Sequence, residues 1–320
     1  MSPLRRAAWW VLRRVHGPDY AWVLPALARL PLALGWRLAA LRGWINGWLG
    51  RDWRSVALGT AHVRRRTLQG LALLAPQAGQ AQRQRWCRQR FAVESRDEFE
   101  AARLDARGLR GLHCTLDAAA QSLLQRPPDR GLVLLTPHFD SFYLGIAFLA
   151  QAGSRPVGSM ASAVFRDPRV DPAVTRHFQR KYAALERQLR GGKVPEMESG
   201  LRPFYRVLQQ AQVLVVLADA PVLPNGVAMT VDFLGGPRQL AGGALRLAQA
   251  TGSEIGGFVC RCVGPGRYLL QGCPAGPADD PATLERVYRL FDTAIRQQPG
   301  AWWAADLLPD LPLQPPKAPP

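Results

Sequence analysis

Lysine is nearly missing from this chain. Lys181, Lys193 and Lys317 are its only three lysines in 320 residues, yet the net charge is +17, because arginine supplies the rest. A GC-rich genome gives the same bias, so the choice of residue says little. The excess charge still favours an anionic partner: a phospholipid surface, an acidic carrier protein or nucleic acid. Cysteine is scarce too. Cys87, Cys114, Cys260, Cys262 and Cys273 are odd in number and form no C-x-x-C pair. That argues against a disulfide framework and a zinc site, and it fits a reducing compartment. Nowhere are there the roughly 18 consecutive apolar residues of a membrane-spanning helix. Residues 1–20 have neither the apolar run nor the small-residue cleavage site of a signal peptide. The absence of a G-x-S-x-G elbow argues against an ordinary serine α/β-hydrolase. No zinc-finger spacing, nucleic-acid-binding module or aromatic-interleaved basic stripe occurs, which leaves nucleic acid out of the expected partners.

Tryptophan, in contrast, is concentrated at the start. Trp9, Trp10, Trp22, Trp36, Trp44, Trp48 and Trp53 all precede residue 54. Between them Leu30, Leu34, Leu38, Leu41, Ile45 and Trp48 recur at steps of three and four, a helical stripe. Arg29, Arg42 and Arg51 fall away from it. Tryptophan and arginine beside an apolar stripe describe a helix lying in a membrane interface, and the alternative is a helix packed on the protein's own core. Two more helices are expected before residue 104, one ending near Leu74 and one over residues 81–103.

From Gly131 the pattern changes to strands alternating with helices. Leu132–Leu135 and Val213–Leu217 are continuous apolar runs that read as buried parallel strands. The stretches 142–149, 172–189, 201–210, 240–250 and 284–297 read as helices. Residues 254–263 and 267–271 read as a hairpin around Gly264-Pro265-Gly266. The expected fold is α/β, with a mostly parallel central sheet flanked by helices and an N-terminal amphipathic helical membrane-docking region. The expected division is residues 1–75 as membrane-associating helices, 76–308 as the α/β domain and 309–320 as a proline-rich disordered tail.

The stretch GLVLLTPHFDSFYLG, residues 131–145, offers the chemistry. A strand that ends and hands His138 to the start of a helix presents an imidazole where open α/β sheets bind ligands. Neutral imidazole is a general base near neutral pH. In the alternative reading His138 is a satisfied polar residue and Asp140 a helix N-cap.

The order of blocks resembles the lysophospholipid acyltransferase superfamily, in its lipid A late acyltransferase branch. TPHFDSF is similar to that family's strand-end histidine block. VVLADAPVLPNG, followed by VDFLGGPRQLAGGALRLAQATGSEIGGFVCR, is similar to its PDQ and F-G-x-P blocks. IRQQPGAWWAAD is similar to its terminal HP-x-x-W, and the basic, Trp-rich start to its membrane-docking region. The resemblance covers about residues 20–305. It implies transfer of a fatty acyl group from acyl carrier protein or coenzyme A to a lipid hydroxyl, at the cytoplasmic face of a bacterial inner membrane, with no metal or cofactor.

The family's H-x4-D/E motif places its histidine at His138, but its acid position holds Tyr143. Asp140, two residues on, then becomes the expected acid, and Asp219, at the end of the next expected strand, is the alternative. A third reading is a non-catalytic lipid-binding relative, and a fourth a hydrolase with water as acceptor. Tyr143, Arg166, Asp219, Phe233, Gly235 and Arg238 complete the expected substrate-binding set, with Arg238 facing a carrier phosphate.

Overall fold

The computed structural model describes residues 14–125, 129–224 and 226–314. Trp9 and Trp10 therefore lie outside the described residues. A π-helical turn (Asp19–Val23) leads into α1 (Leu24–Arg29), α2 (Leu32–Leu49), α3 (Trp53–Leu58), α4 (His62–Leu74) and the long α5 (Gln80–Arg107). The α/β part then runs β1 (His113–Leu116), α6 (Ala118–Gln125), β2 (Leu132–Thr136), α7 (Phe142–Ala152), β3 (Val157–Gly158), α8 (Pro172–Glu186), α9 (Arg202–Gln209) and β4 (Val213–Leu217). It closes with β5 (Ala228–Asp232), β6 (Pro237–Ala241), α10 (Gly243–Thr251), β7 (Glu254–Gly264), β8 (Arg267–Pro277) and α11 (Pro281–Gln297).

Six strands form the central sheet in the order β1-β8-β7-β2-β4-β3. All neighbouring pairs are parallel except the β7–β8 hairpin. The α/β expectation with a mostly parallel sheet holds. Every residue of β2 is buried, which explains its unbroken apolar sequence. At about 1.5–3 kcal/mol per buried aliphatic side chain, this strand anchors the sheet centre. β1 and α6 were not expected. β1 is a four-residue edge strand whose side chains are only partly covered, so its sequence carries no buried-strand signal. β5 and β6 form a separate antiparallel pair; in sequence, residues 230–234 read as a short strand before the turn Gly235-Gly236-Pro237, and β6 was not expected.

Of the N-terminal helices, α4 shares a core with the sheet. Val63, Leu71 and Leu74 of α4 join the same cluster as Val133, Leu135 and Val216. α2 lies along α5 through small residues: Gly35, Ala39, Gly43 and Gly47 are its buried positions. A Cβ at Gly43 would stand 2.4 Å from the Ala92 Cα, so glycine is what permits the close approach. Leu32 and Trp36 pack against the helical core, while other large residues of α2 point the other way. Leu34, Leu41, Ile45 and Trp48 are exposed, Trp48 by 68%. Among the described residues, no helix is long and apolar enough to cross a membrane.

Of the tail expected from Pro309, residues 309–314 are described, and Pro312 and Leu313 in it are exposed. Leu311 is fully buried, and Leu313 bridges to Arg238. Residues 315–320 lie outside the described residues.

Candidate active site

β2 and β4 run in parallel register, Thr136 opposite Leu217. Two residues beyond that pair stand His138 and Asp219, so the register alone brings them level at the carboxyl end of the sheet. His138 Nδ1 lies 2.7 Å from one Asp219 oxygen. The His138 backbone N–H and the Trp302 indole N–H both donate to the other oxygen, each at 2.8 Å. Asp219 has no solvent exposure. Burial pushes its carboxyl up, but the His138 charge and the hydrogen bonds from His138 and Trp302 outweigh this and hold it below the ordinary value. An ionised carboxylate only accepts, so the proton sits on Nδ1. Nε2 is left available to the cleft that His138 lines.

The strand end is held in place from the C-terminal side. Trp303 N–H donates to the His138 carbonyl at 2.8 Å, and Asp140 N–H donates to the Ala301 carbonyl at 2.9 Å. Phe233 is buried and packs edge-on against Trp302. Phe233 thus supports the indole that supports Asp219.

The structure does not bring Asp140 to the imidazole. Its two oxygens take Arg96 Nη2 at 2.9 Å and the Cys262 N–H at 3.0 Å. It caps no helix either, since Ser141 occupies the N-cap of α7. Asp140 adopts φ 45°, a left-handed conformation that aspartate tolerates better than most residues. It ties the turn after His138 to α5 and β7. Tyr143 is also directed elsewhere: its hydroxyl donates to the Lys181 carbonyl at 2.6 Å, while the residue lines the cleft.

Arg166 lies outside the cleft, paired with Glu196 at 2.5 Å and more than half exposed. Gly235 takes φ 104° in the turn between β5 and β6. Arg238 does not face a carrier phosphate. Its guanidinium is buried and donates to the carbonyls of Phe233, Leu234 and Leu311. A lone guanidinium beside a glycine turn reads as an anion site in sequence, but here backbone carbonyls consume its donors.

The cleft beside His138 encloses about 340 Å³. One part is apolar, with Phe142, Ile146, Phe165, Phe178, Leu185 and Val215. Another is ionic, and its charges are paired: Lys181 with Asp97, Arg54 with Asp306, and Arg90 with Glu94. Trp302, Asp97 and Lys181 were missed as site residues. Trp302 had a signal in the WW of residues 302–303. Asp97 had no signal that set it apart from Glu94, Glu98 and Glu100 beside it on α5, and Lys181 only its rarity.

A model of the bacterial lipid A biosynthesis acyltransferase family matches residues 48–304. The match spans most of the chain, including both strand ends that form the His138–Asp219 pair.

The chain belongs to that family.

Membership makes acyl transfer the general activity and a membrane-associated setting the general one. No match emerged among curated proteins. In this family member a histidine with a carboxylate partner adjoins a cleft with an apolar part.

Proposed function

We propose that this chain transfers a fatty acyl group from a thioester of acyl carrier protein or coenzyme A to a hydroxyl of a membrane glycolipid or related lipid, with His138 as general base and Asp219 as its partner. The observation that carries this reading is the 2.7 Å contact between His138 Nδ1 and Asp219 at the wall of the cleft. Nε2 takes the proton of the acceptor hydroxyl as that oxygen attacks the thioester carbonyl. The new C–O bond forms, the C–S bond breaks, and the imidazolium returns the proton to the departing thiolate. Asp219 holds the tautomer and stabilises the imidazolium. Phe142, Ile146 and Phe178 offer the acyl chain an apolar wall.

The outward face of α2 supports docking on a membrane surface, which in this reading is the cytoplasmic face of an inner membrane. Leu34, Leu41, Trp44, Ile45 and Trp48 are exposed there, and tryptophan suits the headgroup region. The test supplies the protein in detergent with acyl carrier protein or coenzyme A thioesters and a bacterial lipid extract. Lipid-dependent thiol release with a newly acylated lipid, lost in His138→Ala, is the expected result. Lipid binding without turnover on any donor would instead point to a non-catalytic relative, and lipid-independent thiol release to a hydrolase.

A further inference from the structure

A second cavity, of about 320 Å³, lies between α1, α5 and α8, and Lys181 borders both it and the active-site cleft. Its walls are built from small residues: Ala28, Ala101, Ala102, Ala106 and Ala173. Alanine at these facing positions keeps the helices from filling the gap. Around it stand Arg29, Arg176 and Arg180. The carboxylates nearby are committed. Asp105 pairs with Arg187 at 2.7 Å, and Asp97 pairs with Lys181. Among the described residues, the three arginines have no carboxylate partner.

His177 supplies an independent observation. It lines the cavity, is 8% exposed, and its Nε2 is buried without a hydrogen-bond partner. Burial, then the charges of Lys181, Arg42 and Arg180, push this imidazole down to about 3. It is neutral at physiological pH, has one unmet polar atom, and shares the cavity wall with Arg29, Arg176 and Arg180. Such a setting suits a small multiply charged anion with several acceptor oxygens, because guanidinium donors match phosphate geometry. A cavity of this size accommodates a phosphoryl group and not an acidic protein helix.

We propose that this cavity is a phosphate-binding site, formed by Arg29, Arg176 and Arg180 with His177, for a phosphorylated ligand. The phosphate belongs either to the pyrophosphate arm of a nucleotide thioester donor or to a lipid headgroup. Binding is read without turnover, so the assignment stands or falls separately from acyl transfer.

The experiment titrates the full chain in detergent with inorganic pyrophosphate by calorimetry. Arg176→Gln with Arg180→Gln is compared with Arg206→Gln with Arg289→Gln, an exposed pair of equal charge elsewhere. Saturable binding is expected in the native chain. The first pair should weaken it by about tenfold or more, given the strength of charged hydrogen bonds, and the control pair by less than about twofold. Competition then separates the sources. Displacement by coenzyme A assigns the donor, and displacement by dihexanoyl phosphatidate assigns a lipid headgroup. No saturable binding, or equal loss in the control pair, overturns the proposal.

Discussion

The carboxylate that touches His138 is separated from it by 81 positions in sequence, and the nearer Asp140 serves another end. A residue two positions away is the natural candidate when only sequence spacing is visible. What decides is direction: Asp140 turns toward Arg96, with which it forms a buried ion pair at 2.9 Å. Asp140→Asn therefore leaves Arg96 without its counter-ion. A loss of about 3 kcal/mol in unfolding free energy is expected, measured by denaturant titration. Glu100 offers a pH test. Burial, against the attraction of Arg96, pushes this carboxyl up to about 8. The folded state holds a proton there that the unfolded state releases above its ordinary 4.5. This contribution to stability is full below about 4.5 and is lost as pH rises toward 8. Glu100→Gln should flatten that decline, seen as a smaller drop in melting temperature between pH 5 and pH 8 than in the native chain. Asp219 has the opposite sign. Its folded value is depressed, so its contribution is present above about 4 and fades only as pH falls below that.

At the scale of the element, α2 shows what a periodic pattern conveys and what it conceals. The stripe of Leu34, Leu38, Leu41, Ile45 and Trp48 is legible as a helix, but the same pattern serves core packing and membrane contact equally. The glycines show which face packs: Gly35, Gly43 and Gly47 face α5 and leave Leu34, Leu41, Ile45 and Trp48 exposed. Gly43→Val should separate α2 from α5, because its Cβ would stand 2.4 Å from the Phe91 carbonyl oxygen. A fall in melting temperature of several degrees is expected from about 1–3 kcal/mol of overpacking. Trp44→Ser with Trp48→Ser should leave melting unchanged and weaken vesicle sedimentation about tenfold or more, since each large apolar side chain is worth about 1.5–3 kcal/mol on burial. The buried strands β2 and β4 were readable from their unbroken apolar runs. β1 and β6 were not, because strands that are only partly covered place few apolar residues.

For the whole molecule, the α/β class was legible because the alternation of apolar strands and amphipathic helices survives in sequence. The dyad was half legible: His138 and Asp219 each mark a strand end, but only the parallel register of β2 and β4 makes them neighbours. The packing of α2 on α5 was not legible, since it rests on small residues without a hydrophobic signature. The net charge of +17 adds a long-range attraction to anionic bilayers that should weaken as salt rises. The most direct measurement is lipid-dependent thioester turnover by Asp219→Asn and Asp140→Asn, each scored per folded molecule. Asp219→Asn should lose about a hundredfold or more, as the imidazole loses its charged partner, while Asp140→Asn stays within a few-fold of the native chain. Retained turnover in Asp219→Asn, with loss in Asp140→Asn, would contradict the account.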